Sequence, residues 1–157
     1  MARDPQHKVF IGCCMVVLNP KADKVLLAIR KKEPHLGGWQ IPGGTVDYGF
    51  GDDLISAVIR ETKEETGLEI NNPQLVGVIS TSYYGPQSPL HIVFKGQVDS
   101  EVLPPNPEPD KADDWQWVDL NNLPSNDVNW FRMSKIALDL FKKVKTNPSL
   151  SRIVNDK

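Results

Sequence analysis

The sequence predicts an α/β (α+β) protein, a mixed β-sheet flanked by helices. Three observations carry that expectation. Apolar runs of strand length come first, a capped amphipathic helix interrupts them, and after further strands a second amphipathic helix closes the chain.

Val9 to Leu18 reads as a buried strand, and the turn "NPKAD" leads into a second strand, "KVLLAIRKK", that forms a hairpin with the first. Gly and Pro in "EPHLGGWQIPGG" exclude a helix and leave Trp39 to Ile41 as a short strand. A glycine-rich loop runs on to Gly51. The next segment is helical in pattern, with Asp52 or Asp53 as its cap and Gly67 just past its end. Leu54, Ile55, Val58 and Ile59 form the stripe expected to meet the sheet. Leu75 to Tyr84 and Leu90 to Val98 are strand-like and joined by "GPQSP".

The run "LPPNPEPDKADD" is a long loop whose prolines restrict its freedom, and it reads as a connector more readily than as a peptide ligand. In "WQWVDL" strict alternation puts Trp115 and Trp117 on one face, where packing is the default role. Ala137, Leu140, Phe141 and Val144 mark a closing helix from about 129 to 145. Residues 147–157 are polar and expected to fray.

A length of 157 residues, 39% of them hydrophobic and 24% charged, predicts a single domain over 1–157. Eighteen Lys plus Arg against twenty Asp plus Glu give a net charge of −2, which argues against a nucleic-acid or anionic-membrane partner. The longest apolar run, Ile11 to Leu18, is far short of the ~20 residues a membrane helix needs. The N-terminal "MARDPQHK" lacks signal-peptide character, so a cytoplasmic location is expected. Cys13 and Cys14 are adjacent and would point to opposite faces of a strand, which suits two reduced thiols and neither a disulfide nor a zinc site.

The chemistry concentrates in "RETKEETGL". At 100° per residue, Glu61, Glu64 and Glu65 share one helix face beside the apolar stripe. Like charges at these spacings repel, and two of them sit near the helix C-terminus, where the macrodipole opposes negative charge. Solvent, nearby Arg60 and Lys63, protonation or a bound cation could each offset the cost. Hard divalent ions such as Mg²⁺ or Mn²⁺ favour such oxygen ligands. A solvated acidic face is the plain alternative.

Gly43 to Leu68, "GGTVDYGFGDDLISAVIRETKEETGL", resembles the Nudix box, the signature of the Nudix (MutT-like) hydrolases. The preceding "WQIPGG" is also typical of that family. There are three departures. Asp52 stands where the family has Glu, the loop after Gly44 is two residues longer, and Thr62 replaces an aliphatic residue. The resemblance implies an α/β/α sandwich in which Glu61, Glu64 and Glu65 bind Mg²⁺, with Mn²⁺ as a substitute. The main-chain carbonyl of Gly43, next to Gly44, is a further candidate ligand. The resemblance further implies that one of the glutamates, Glu61 in particular, deprotonates water, that Arg60 orients them, and that Asp52 holds Arg60.

"EPDKADDWQWVDLNNLP" is similar to a segment of the nucleoside-triphosphate pyrophosphatases of this family, in which an acid of the loop binds metal, activates water or contacts the base. Glu108 or Asp110 would fill that place, against the alternative of a solvated acidic loop. Arg30 matches a position that can hold phosphates, with surface salt bridging as its alternative. His91 and the pair Tyr83–Tyr84 are candidates for base contact, although packing is the commoner role for each. The expected activity is Mg²⁺-dependent hydrolysis of a nucleoside di- or triphosphate, including modified ones, to a monophosphate and pyrophosphate. Hydrolysis of a nucleoside diphosphate linked to another group, such as ADP-ribose or a nucleotide sugar, is the alternative. A catalytically weak nucleotide-binding module is the competing class. The expected partner is a small nucleotide, and a homodimer stays open.

Overall fold

The computed structural model describes residues 10–83, 85, 89–150 and 152–156. Val9, Tyr84 and residues 86–88 of the predicted joining loop lie outside the described residues. The elements are β1 (Ile11–Leu18), β2 (Lys24–Ile29), β3 (Trp39–Gln40), β4 (Gly43–Thr45), α1 (Leu54–Thr66), β5 (Gln74–Thr81), β6 (Leu90–Gln97), β7 (Gln116–Asp119), α2 (Arg132–Thr146) and β8 (Ile153–Asp156). They build a mixed sheet in the order β3-β2-β1-β6-β5-β8, with β4 also on β1 and β7 on β2. The pairs β1–β6 and β5–β8 are parallel, and the predicted β1–β2 hairpin is antiparallel.

Alternation along β1 divides the core into two layers. Cys13, Met15 and Val17 pack with Ala57 and Val58 of α1, whereas Cys14, Val16 and Leu18 pack with Met133, Ala137 and Phe141 of α2. The two cysteines are therefore buried, free and on opposite faces. Full burial of each such aliphatic side chain is worth roughly 1.5–3 kcal/mol, so β1 anchors both layers of an α/β/α sandwich. Among the described residues no helix is long and apolar enough to cross a membrane.

Of the two candidate caps, Asp53 is the one that caps α1, and four local expectations change. Its carboxylate accepts from the Ile55 and Ser56 N–H groups at 2.8 Å each, and Ser56 Oγ accepts in return from the Asp53 N–H at 2.8 Å. The buried stripe of α1 is Ala57, Val58, Thr62 and Thr66, while Ile55 is exposed. Both threonines are satisfied in the core because their hydroxyls donate to the carbonyls of Val58 and Thr62, at 2.7 and 2.6 Å. That local bond explains how Thr62 can stand where the family has an aliphatic residue.

The glycine-rich loop contains β4, which lies against β1 with Cys13 opposite Gly44 and Cys14 opposite Gly43. The closing helix starts at Arg132 instead of 129. The backbone of Asn129 and Phe131 is already engaged with Trp39, through N–H···O bonds of 3.1 and 2.9 Å. The predicted frayed tail is also corrected, because β8 pairs with β5 and Arg132 grips Asp156 through Nε and Nη2 at 2.7 Å each.

Candidate active site

Helix α1 carries the acids and β4 lies beside them. Gly43 N–H donates to Glu65 Oε2 at 2.9 Å. Gly44 faces the Glu61 carboxylate so closely that an added Cβ would lie 2.6 Å from Oε1 and nearer still to Cδ. The missing side chain at residue 44 leaves the Glu61 carboxylate its place against the strand.

Arg60 lies at the centre of the acidic cluster. Its Nη1 donates to Glu61 Oε1 at 2.9 Å and Glu64 Oε2 at 3.1 Å, and its Nη2 donates to Asp52 Oδ2 at 2.7 Å and the Thr45 carbonyl at 3.3 Å. The longer loop thus delivers Asp52 to Arg60 despite the shorter side chain. The guanidinium holds the Asp52 carboxyl below its ordinary range. Burial raises Glu61 against the opposing pull of Arg60. Burial dominates at Glu65 as well and pushes it up to about 7, with the Gly43 N–H bond opposing and the charges of Glu61 and Glu108 adding to the rise.

The loop before β7 closes over the end of α1. Trp115 is fully buried, and its indole N–H donates to the Glu65 carbonyl at 3.0 Å. Glu108 pairs with Lys111 at 2.6 Å, and its Oε2 is buried without a hydrogen-bond partner. Lys111 exerts its charge on both Glu61 and Glu65. Asp110 is exposed and takes no part in these contacts.

The donor set suits a hard divalent cation. It consists of carboxylate oxygens, with Glu61 and Glu65 both raised by burial and one Glu108 oxygen orphaned. Among the described residues no three acidic or imidazole groups close around a common point. Glu61 and Glu64 are instead turned to Arg60.

Strand β4 separates two hollows, and Thr45 lines both. One, about 380 Å³, is bounded by Asp47, Asp52, Arg60, Glu61 and Glu64. The other, about 430 Å³, is lined by Gly43, Gly44, Arg30, Gln40, His91 and Phe131 among others. Arg30 is fixed there by Gln40 Oε1 at 3.1 Å, by the Pro34 carbonyl at 2.8 Å and by the Phe131 ring, 4.9 Å from its guanidinium carbon. The His91 ring rests on Gly12, and its Nδ1 is buried without a partner. Burial alone pushes His91 down to about 4, so the ring is neutral near pH 7.

Tyr83 does not line this pocket. It is half exposed and lies under the Arg132 guanidinium, 4.2 Å from its carbon. Sequence reasoning missed Gln40, Phe131 and Lys111, and it read Trp115 as packing alone. Lys111 sits in the same acidic loop as Glu108, which was the available signal.

A NUDIX domain model matches residues 10–140. The chain belongs to the Nudix hydrolase family. It is 39% identical over 126 residues to an ADP-ribose pyrophosphatase of Methanocaldococcus jannaschii, covering 80% of this chain and 66% of that relative. It is 31% identical over 153 residues to an RNA pyrophosphohydrolase of Pelagibacter ubique, covering 85% and 87% of the two chains. Among solved structures, a MutT NUDIX hydrolase from Burkholderia pseudomallei superposes with a TM-score of 0.71 at 27% identity, over 85% of this chain and 98% of that one. This Nudix hydrolase thus has the predicted sandwich. Members of the family generally use divalent metal ions.

Proposed function

We propose that this Nudix hydrolase cleaves the diphosphate of a nucleoside diphosphate linked to a second group, the ADP-ribose class, with Mg²⁺ held by Glu61, Glu64, Glu65 and the Gly43 carbonyl. The observation that carries the reading is the pair of hollows meeting at β4. A linear substrate can lay its diphosphate across Gly43–Thr45 with its nucleoside in the hollow of Arg30 and His91 and its second group toward the other. The 39% identical relative named as an ADP-ribose pyrophosphatase supports the same class.

Such a cation, when bound, neutralises diphosphate oxygens and makes a bound water more acidic. The chain's own residues do the rest. Arg60, anchored by Asp52, orients Glu61 and Glu64 through charge-assisted hydrogen bonds. Glu61 accepts the proton from water. Arg30, held rigid by Gln40 and Phe131, binds a phosphate oxygen, and the unpartnered Nδ1 of neutral His91 meets a polar edge of the base. Glu108 supplies a further oxygen from the loop. The products are two phosphate monoesters, formed by addition of water across one P–O–P bond.

A nucleoside triphosphate giving a monophosphate and pyrophosphate is the second reading, and the relative named as an RNA pyrophosphohydrolase shares with it only the release of pyrophosphate. A product assay on ADP-ribose and a triphosphate panel with Mg²⁺ separates the two. Monoesters without pyrophosphate are expected, and pyrophosphate release as the main activity would replace the first reading by the second. Glu65→Gln is expected to lower kcat at least ~10³-fold without loss of fold, because the amide oxygen can still accept from Gly43 N–H. Retained metal-dependent turnover in that variant would count against the whole assignment.

A further inference from the structure

Helix α2 ends before the strands it covers. Past Phe141 and Val144 a hollow of about 470 Å³ opens between the last turn of the helix, β5, the ends of β1 and β6, and residues Pro148 and Arg152. Ser134, which lines the pocket of the candidate active site, is eleven residues from Lys145 along the helix, or about 16 Å at 1.5 Å per residue. The two cavities are therefore separate sites at opposite ends of one helix.

The hollow has an apolar floor of Leu18, Val76, Phe141 and Val144, and three cations, Lys95, Lys145 and Arg152, at its edges. Among the described residues no carboxylate lines it. Among the described residues neither Lys95 nor Arg152 has an ion-pair partner. Lys145 donates only to the Ala22 carbonyl, at 3.3 Å. Lys145 also complements the C-terminal half-charge of α2, so the fold alone accounts for it. Lys95 has no such reason. It is half-buried on β6, opposite Gln74 of β5, and its side chain lines the hollow. Arg152, exposed just ahead of β8, adds a second cation to the same rim. Three cations outweigh the roughly half negative charge of the helix end and leave a net attraction for an anion.

We propose that this hollow binds a small organic phosphate of nucleoside-monophosphate size. Its phosphate would sit on Lys95, Lys145 and Arg152, and its ring would lie against Leu75, Phe141 and Pro148. The side-chain amides of Asn72 and Gln74 face the same space and offer hydrogen bonds to the polar edge of the ring.

The test is an ¹⁵N-resolved NMR titration of the full chain with AMP and no divalent cation, which keeps it independent of the catalytic assignment. Saturable shifts are expected at Gln74, Lys95, Gln97 and Lys145. Lys95→Gln and Arg152→Gln should each weaken Kd for AMP at least tenfold with Tm unchanged, while Glu65→Gln binds AMP as the parent does. Adenosine and inorganic phosphate, titrated separately, should each bind at least tenfold more weakly than AMP. Shifts confined to the neighbourhood of Gly43, unaltered affinity in both charge variants, or inorganic phosphate binding as tightly as AMP would overturn the proposal.

Discussion

Gly43 and Gly44 are neighbours in one short strand, yet the structure assigns their missing side chains different consequences. A methyl group at residue 44 would meet the Glu61 carboxylate, 2.6 Å from Oε1. Ordinary C···O contacts start at roughly 3.3 Å, and Cδ and Oε2 lie nearer than Oε1, so the carboxylate must retreat by slightly more than about 1 Å. It is the far end of a flexible chain and can do so at little cost to folding. Misplacing a reacting group by about 1 Å can cost ~10²-fold in rate, or about 2.7 kcal/mol of barrier.

A methyl group at residue 43 would instead lie 2.7 Å from Cys14 Cα and closer to the Cys13 carbonyl, which are backbone atoms of the central strand and cannot yield. Overpacking against immovable atoms costs about 3 kcal/mol. Gly44→Ala should therefore unfold in urea like the parent while kcat/KM falls about a hundredfold, and Gly43→Ala should lose stability outright. Parent-like turnover in Gly44→Ala, or a fully stable Gly43→Ala, would refute the assignment of these roles.

Three further outcomes are expected. His91 has its folded pKa pushed down to about 4 from the usual 6.5, so the stability it contributes is complete above pH 6.5 and is lost as pH falls toward 4. Urea unfolding at pH 7 and 4.5 should differ by about 2–3 kcal/mol more in the parent than in His91→Asn, and parallel pH profiles would show that the ring is solvated. Arg132→Ala removes both bonds to Asp156, whose carboxyl the guanidinium holds below its ordinary range. The stability this pair adds is present above that range and lost on acidification. The variant should lose about 1 kcal/mol at neutral pH, with faster amide exchange confined to β8 and its side of β5. Trp115→Phe keeps most of the buried surface but not the bond to the Glu65 carbonyl, so a loss of about 1–2 kcal/mol in denaturant and a reduced kcat should appear together.

The parts of this protein that could be read from its sequence are those specified locally. The cap at Asp53, the stop at Gly67 and the spacing of Glu61, Glu64 and Glu65 all lie within one helix, so periodicity and turn chemistry reach them. The parts that could not be read depend on distant partners. Gly43–Thr45 becomes a strand only because β1 lies alongside and glycine allows close approach. The short segment 153–156 becomes one because β5 offers an open edge and Arg132 waits for Asp156. Trp115 obeyed its alternation and still carried a second role, since no periodicity reveals that an indole N–H will meet a carbonyl fifty residues earlier. The ring of Tyr83 suits base contact by residue type, but Arg132 holds it elsewhere.

The grip of Arg60 on Asp52, Glu61 and Glu64 has a practical consequence. Helix α1 arrives with much of its charge already compensated from within the chain, so folding does not wait for an ion. In small zinc domains, by contrast, metal affinity is the folding energy. Chelation of this protein should accordingly switch activity off without releasing the fold, and replenishing the cation should restore it. The enzyme could then be purified, stored and loaded as an intact apoprotein.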